Sequence, residues 1–108
     1  MGAEKDVEVP RPKAKSRIDR GARNLGNYLD IEVSVLRGAD RSGAVSKART
    51  QVAYVLVPRM GYRLKDVAGY LGRDAATIAT MLSRMNERLE SDIQEKREIE
   101  RLGKIVDS

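Results

Sequence analysis

The sequence predicts an all-α fold, a small multi-helix domain built around a helix-turn-helix, and three observations lead there. Apolar side chains recur at steps of three and four along four separate stretches, the spacing of one face of a helix. No stretch alternates Val, Ile or Thr with polar residues between turn signals, so no strand is expected. A three-residue corner, Gly72-Arg73-Asp74, separates two of the helical stretches, which is the arrangement of a helix-turn-helix.

Residues 1–17 contain Pro10 and Pro12, five basic residues and, after Met1, no apolar side chain larger than Val. Such a segment cannot pack and reads as a flexible basic tail or linker. The folded domain is expected over 18–108. Ile18, Ala22, Leu25 and Leu29 define a first helix near 18–29, weakened by Gly21 and Gly26. Val33 and Leu36 give a short helical turn that ends at Gly38, and residues 38–43 form a loop by composition.

Val45, Ala48, Val52, Leu56 and Met60 make an amphipathic helix of about 45–59, with Lys47, Arg49, Thr50 and Tyr54 off its apolar stripe. Pro58 lies near its end and Gly61 follows as a breaker. Leu64, Val67, Ala68 and Leu71 place a two-turn helix over 64–71. After the corner, Ile78, Leu82, Met85 and Leu89 are the buried positions of a second helix, so the helix-turn-helix spans about 64–88. Asp74 is suited to N-cap that helix, and Gly72 to supply the left-handed residue that the tight turn needs. The helix is expected to run on to about Leu102. Its apolar stripe slips there, since six residues separate Ile93 from Ile99, so the helix loses its partner face or bends.

Composition removes most chemistry. The 108 residues include no His, Cys, Trp or Phe, so imidazole bases, thiol nucleophiles, disulfides and the usual zinc sites are excluded. Only Asp66 and Asp74 place carboxylates near basic groups, which is too little for an active site, and no enzyme, cofactor or metal is expected. A chain this short buries about two thirds of its unfolded surface, enough for one modest core. No stretch approaches the roughly 20 apolar residues of a membrane span and the amino terminus is no signal peptide, so a soluble cytoplasmic protein is expected.

The charge has a location. Residues 41–74 carry seven basic and two acidic side chains, an excess equal to the +5 of the whole chain, while the remaining segments nearly cancel. A polyanion is expected to meet this middle third, with the arm from Arg11 to Arg23 as a second contact. A helix entering the major groove must lead with small or polar side chains. Ala75, Ala76, Thr77, Thr80, Ser83 and Arg84 meet that demand, and Ala75, Ala76, Thr77, Thr80 and Arg84 are the expected base contacts. Arg41, Lys47, Arg49, Arg63, Lys65, Arg73 and Asp74 are the expected contacts to the sugar–phosphate backbone, with Arg41 able to reach an adjacent minor groove.

Residues from about Ser46 to Met85 also resemble the C-terminal DNA-binding domain of the bacterial replication initiator DnaA, of the Trp-repressor-like superfamily. The likeness lies in Ala48-Arg49-Thr50-Gln51-Val52-Ala53-Tyr54-Val55-Leu56, in the run from Leu64 to Asp74, and in Thr77-Ile78. Gly72, Arg73, Asp74 and Thr77 match the family's turn, where Ala75 and Ala76 stand in place of its His and first Thr. Transposases related to the REP-associated tyrosine type look similar, because some carry a DnaA-like helix-turn-helix. The resemblance implies sequence-specific binding of double-stranded DNA by one module of a larger replication-initiator-like or transposase-like protein. The alternative is a helical protein-interaction module, a homodimer formed through the 87–102 helix.

Overall fold

Two of the corners between helices are made with left-handed residues. Asp30 (φ 61°) and Gly72 (φ 69°) each follow a helix, and around each the backbone closes a Schellman motif. Ile31 N–H donates to Gly26 O and Asp30 N–H to Asn27 O; Arg73 N–H donates to Ala68 O and Gly72 N–H to Gly69 O. These bonds satisfy carbonyls that a helix end otherwise leaves open. A computed structural model describes residues 12–107, and among them are six α-helices, one π-helical turn and no strand. The protein is a small all-α domain.

The helices are α1 (Pro12–Leu29), α2 (Val33–Leu36), α3 (Gly43–Tyr54), α4 (Leu64–Leu71), α5 (Ala75–Ser91) and α6 (Ile93–Ile105). Helix α1 starts six residues before the position expected from the periodicity. Proline is tolerated in a first turn, where its missing N–H would lack a partner anyway, and the basic residues that follow are good helix formers. The first eleven residues of the expected tail lie outside the described residues.

Helix α3 is the centre of the fold. Val45, Ala48, Arg49, Gln51, Val52 and Ala53 are all buried, so its neighbours cover far more than the single stripe that the apolar spacing marks. At Val55–Arg59 it widens into a π-helical turn holding Pro58, and Met60 N–H donates to Val55 O across five residues. An α-helix would drive the proline ring against the carbonyl four residues earlier, and the wider turn relieves this.

The bend expected past Ile93 falls earlier, and the helix across the slip is continuous. The expected continuous helix is broken at Asp92 (φ −115°, ψ 99°), whose side chain accepts Glu95 N–H at 3.1 Å and caps α6. Helix α6 then folds back, burying Ile99 and Leu102 with Val106 in the common core. Asn24 Nδ2 donates to Val106 O at 3.0 Å and ties α1 to the end of α6. Close approaches replace side chains at two points: a Cβ on Gly21 would lie 3.0 Å from Val106 Cγ2, and one on Gly26 only 2.4 Å from Ile31 O. Among the described residues, no helix is long and apolar enough to cross a membrane.

Candidate nucleic-acid interface

Helix α5 is rooted by one face and open on the other. Ile78, Leu82 and Met85 are buried, while Ala76, Thr77, Thr80, Ser83 and Arg84 are exposed and Ala75 is half-buried. The leading turns of this helix are therefore presented outward. Thr80 Oγ1 donates to Ala76 O at 3.1 Å, which directs its methyl group away from the helix and leaves its oxygen as an acceptor.

Asp74 holds the N-cap backbone conformation (φ −67°, ψ 144°), but its carboxylate accepts no capping bond. The capping role expected of it is corrected: the side chain is exposed, and the first amides of α5 face outward with the positive end of the helix dipole.

A concave surface lies where α3, the end of α4 and the start of α5 meet. Arg41, Ser46, Thr50, Arg73, Asp74 and Thr77 are among its lining residues. Three segments distant in sequence thus supply one site. Arg41 comes from the α2–α3 loop, Ser46 and Thr50 from α3, and the rest from the turn and α5. Gly69 and Gly72 line it from α4 and the turn, and Lys65, four residues before Gly69, is exposed on the same side of α4. Thr77 and Met81 line it from α5, and Arg84 and Arg88 continue that row at helical spacing. Lys47 borders Ser46 and is exposed, as is Arg63 at the start of α4.

Arg49 was expected to clamp a phosphate, and its surroundings correct this. It is 4% exposed. Its Nε donates to Leu36 O at 2.9 Å and its Nη2 to Asp40 O at 2.9 Å and Gly38 O at 3.5 Å. Helix α2 has only four residues, too short to satisfy its own carbonyls, and the guanidinium does so from α3. Burial lowers the Arg49 pKa, the like charge of Arg73 lowers it further, and Asp40 opposes them. The position escaped sequence reasoning because Arg lies beside the apolar stripe, and only packing shows that the stripe is not the whole buried surface.

Arg73 is half-buried. Its Nη1 donates to Leu71 O at 2.9 Å and Gly72 O at 3.5 Å, and its Nη2 to Gly38 O at 2.8 Å. Both arginines therefore converge on the Gly38 carbonyl. Arg37, unremarked in the sequence, lies 4.4 Å above the Tyr70 ring and donates from Nε to Tyr70 O at 2.7 Å.

No protein-family model, curated protein or solved structure matches the chain. The site must be interpreted from its own chemistry. Among the described residues, no three carboxylates gather as a metal site. The arrangement is a rim of exposed guanidinium and ammonium groups beside a helix face of methyls and hydroxyls, suited to holding a polyanion against a shape-fitting rod. Ile99 and Leu102, in the segment that the dimer alternative requires, are consumed inside the chain.

Proposed function

We propose that this chain binds double-stranded DNA in a sequence-dependent manner, with α5 in the major groove. Ala76, Thr77, Thr80 and Arg84 address base edges, Ala75 supports their approach, and Arg41, Lys47, Arg63 and Lys65 address phosphates. The observation carrying this reading is the outward face of α5. Its leading turns carry the short side chains of Ala76, Thr77 and Thr80, rooted by buried Ile78, Leu82 and Met85, and Thr77 and Met81 run into a concave surface shared with Arg41 and Arg73. A groove admits such a helix, because no bulky aliphatic stands between its axis and the base edges.

The role is recognition, with no bond made or broken. The resemblance of residues 46–85 to the DnaA C-terminal domain favours a Trp-repressor-like module of a cytoplasmic replication initiator or transposase.

The test is a titration of labelled duplex at several salt concentrations, followed by selection from a random duplex library. Four phosphate contacts give a slope of log K against log salt of about −3.6, and the selected duplexes share a motif. A flat salt dependence, or absence of binding at low salt, rejects the reading.

A further inference from the structure

Arg73 and Arg49 point at the same backbone oxygen from opposite sides of the concave surface. Arg73 Nη2 lies 2.8 Å from Gly38 O and Arg49 Nη2 lies 3.5 Å from it. Two guanidinium groups thus share one carbonyl of the chain that follows α2. That chain is the α2–α3 loop. It is short of secondary structure. At its start Arg37 Nε donates to Tyr70 O at 2.7 Å, while the fastenings around Arg41 are local: Ser42 N–H donates to Asp40 Oδ1 at 2.8 Å, and Ser46 Oγ donates to Arg41 O at 3.5 Å. Arg73 ties the loop to the α4–α5 turn itself, beside the bond from Arg37 to the last turn of α4.

The same loop carries Arg41, which is exposed and lines the concave surface together with Thr77. Arg73 gives both Nη1 donors to the end of its own helix and one Nη2 donor to the loop, so three of its five N–H groups serve protein carbonyls.

We infer that Arg73 is a positioning residue: it ties the α4–α5 turn to Gly38 and so fixes Arg41 beside the leading turn of α5, with Arg49 holding the loop from beneath. The inference rests on the DNA-binding reading and assigns the phosphate contact in this corner to Arg41 alone. It makes a distinct claim about coupling. A residue that touches a phosphate itself adds its effect to that of Arg41, whereas one that acts through Arg41 does not.

The experiment is a double-mutant cycle on duplex binding with Arg41→Ala, Arg73→Gln and the combined variant in the full chain. Circular dichroism and thermal unfolding establish that each variant is folded. Each single substitution is expected to reduce the magnitude of the salt slope by about 0.9, and the double variant to show the same loss and no more. A loss of about 1.8 in the double variant overturns the inference, because Arg73 then contacts DNA independently. An unchanged slope in either single variant also overturns it.

Should Arg73→Gln fail to fold, Arg73→Lys serves instead. Lysine keeps the charge, but one ammonium cannot span Leu71 O, Gly72 O and Gly38 O together. Its slope is expected to fall like that of the glutamine variant, and retention of the full slope overturns the inference. Loss of duplex binding by the unaltered chain would instead strike the proposed function, so the two failures are separable.

Discussion

Tyr70 donates its hydroxyl to Asp19 Oδ1 at 2.5 Å, joining α4 to α1 across 51 residues of sequence. Arg23 Nε donates to the other carboxylate oxygen of Asp19 at 2.8 Å, and the Arg37 guanidinium covers the Tyr70 ring. The bond fixes the helix preceding the candidate recognition helix against the longest element of the fold. Tyr70→Phe keeps the ring and its cation–π contact but removes the donor. A hydrogen bond to a charged group contributes about 1.5–3 kcal/mol, and partial exposure of Asp19 puts this one near the lower end. Urea unfolding is expected to show a loss of about 1–2 kcal/mol with an unchanged m-value.

The same pair predicts both edges of a pH profile. The Tyr70 hydrogen bond, followed by Arg23 and Arg37 and against desolvation, holds the Asp19 carboxyl below its ordinary 3.8. Its contribution is therefore fully present above the unfolded carboxylate range and is lost as pH falls through the depressed value. Burial, then the bond to Asp19, pushes the Tyr70 hydroxyl above its ordinary 10.0. That contribution is present below pH 10 and is lost as pH rises beyond it. Thermal midpoints measured from pH 2 to 11 should decline at both ends, and Tyr70→Phe should flatten both declines. An acid limb as steep in the variant as in the parent would exclude this assignment.

Arg49→Leu removes the donor from the carbonyls of Leu36 and Asp40, leaving Gly38 O to Arg73, without opening a large cavity. Buried acceptors stripped of a charged donor cost several kcal/mol together. The expected destabilisation is about 2–4 kcal/mol by chemical denaturation, and hydrogen exchange at residues 36–42 should accelerate. A loss under about 0.5 kcal/mol would mean that the carbonyls find water without cost.

Two glycines should respond oppositely to alanine. A Cβ on Gly26 meets Ile31 O at 2.4 Å, and that oxygen belongs to backbone held by the Schellman closure, so Gly26→Ala should lower the melting temperature sharply. A Cβ on Gly69 meets nothing within 4 Å, and Gly69→Ala in the middle of α4 should stabilise by about 0.5–1 kcal/mol. Differential scanning calorimetry of the two variants checks both signs.

Thr77→Val keeps the shape of the α5 face while replacing a hydroxyl by a methyl group. It should leave the salt slope of duplex binding unchanged and broaden the set of sequences recovered by selection, with about 1–3 kcal/mol of discrimination lost at one base pair. Lys65→Ala should do the reverse, reducing the slope by about 0.9 and leaving sequence preference intact. Identical behaviour of the two variants would remove the distinction between base and phosphate contacts on this surface.

The α4–α5 pair was legible because its signals are local. The spacing of Leu64, Val67, Ala68 and Leu71, and then of Ile78, Leu82 and Met85, needs no partner to be recognised, and Gly72 adopts the left-handed conformation that its lack of a Cβ permits. The slipped stripe after Ile93 led to an expected bend beyond that residue, whereas the break falls at Asp92 and the helix runs unbroken across the slip. The place of the break depended on where Ile99 and Leu102 found cover. The early start of α1 and the π-helical turn at Pro58 were not legible, since each reflects a backbone choice made among near-equal local options.

The order of residues alone determined an all-helical chain, its hinge at Gly72, the short-side-chain face of α5 and the basic middle third, because periodicity, turn chemistry and charge are properties of neighbours. Tertiary structure decided which cations remain available. Arg41, Lys47 and Lys65 stay exposed, whereas Arg49 is buried among carbonyls and Arg73 is tied to Gly38. An arginine has the same charge in either setting. What fixes its role is whether unpaired carbonyls from distant segments converge on it, and that convergence exists only after the helices have packed.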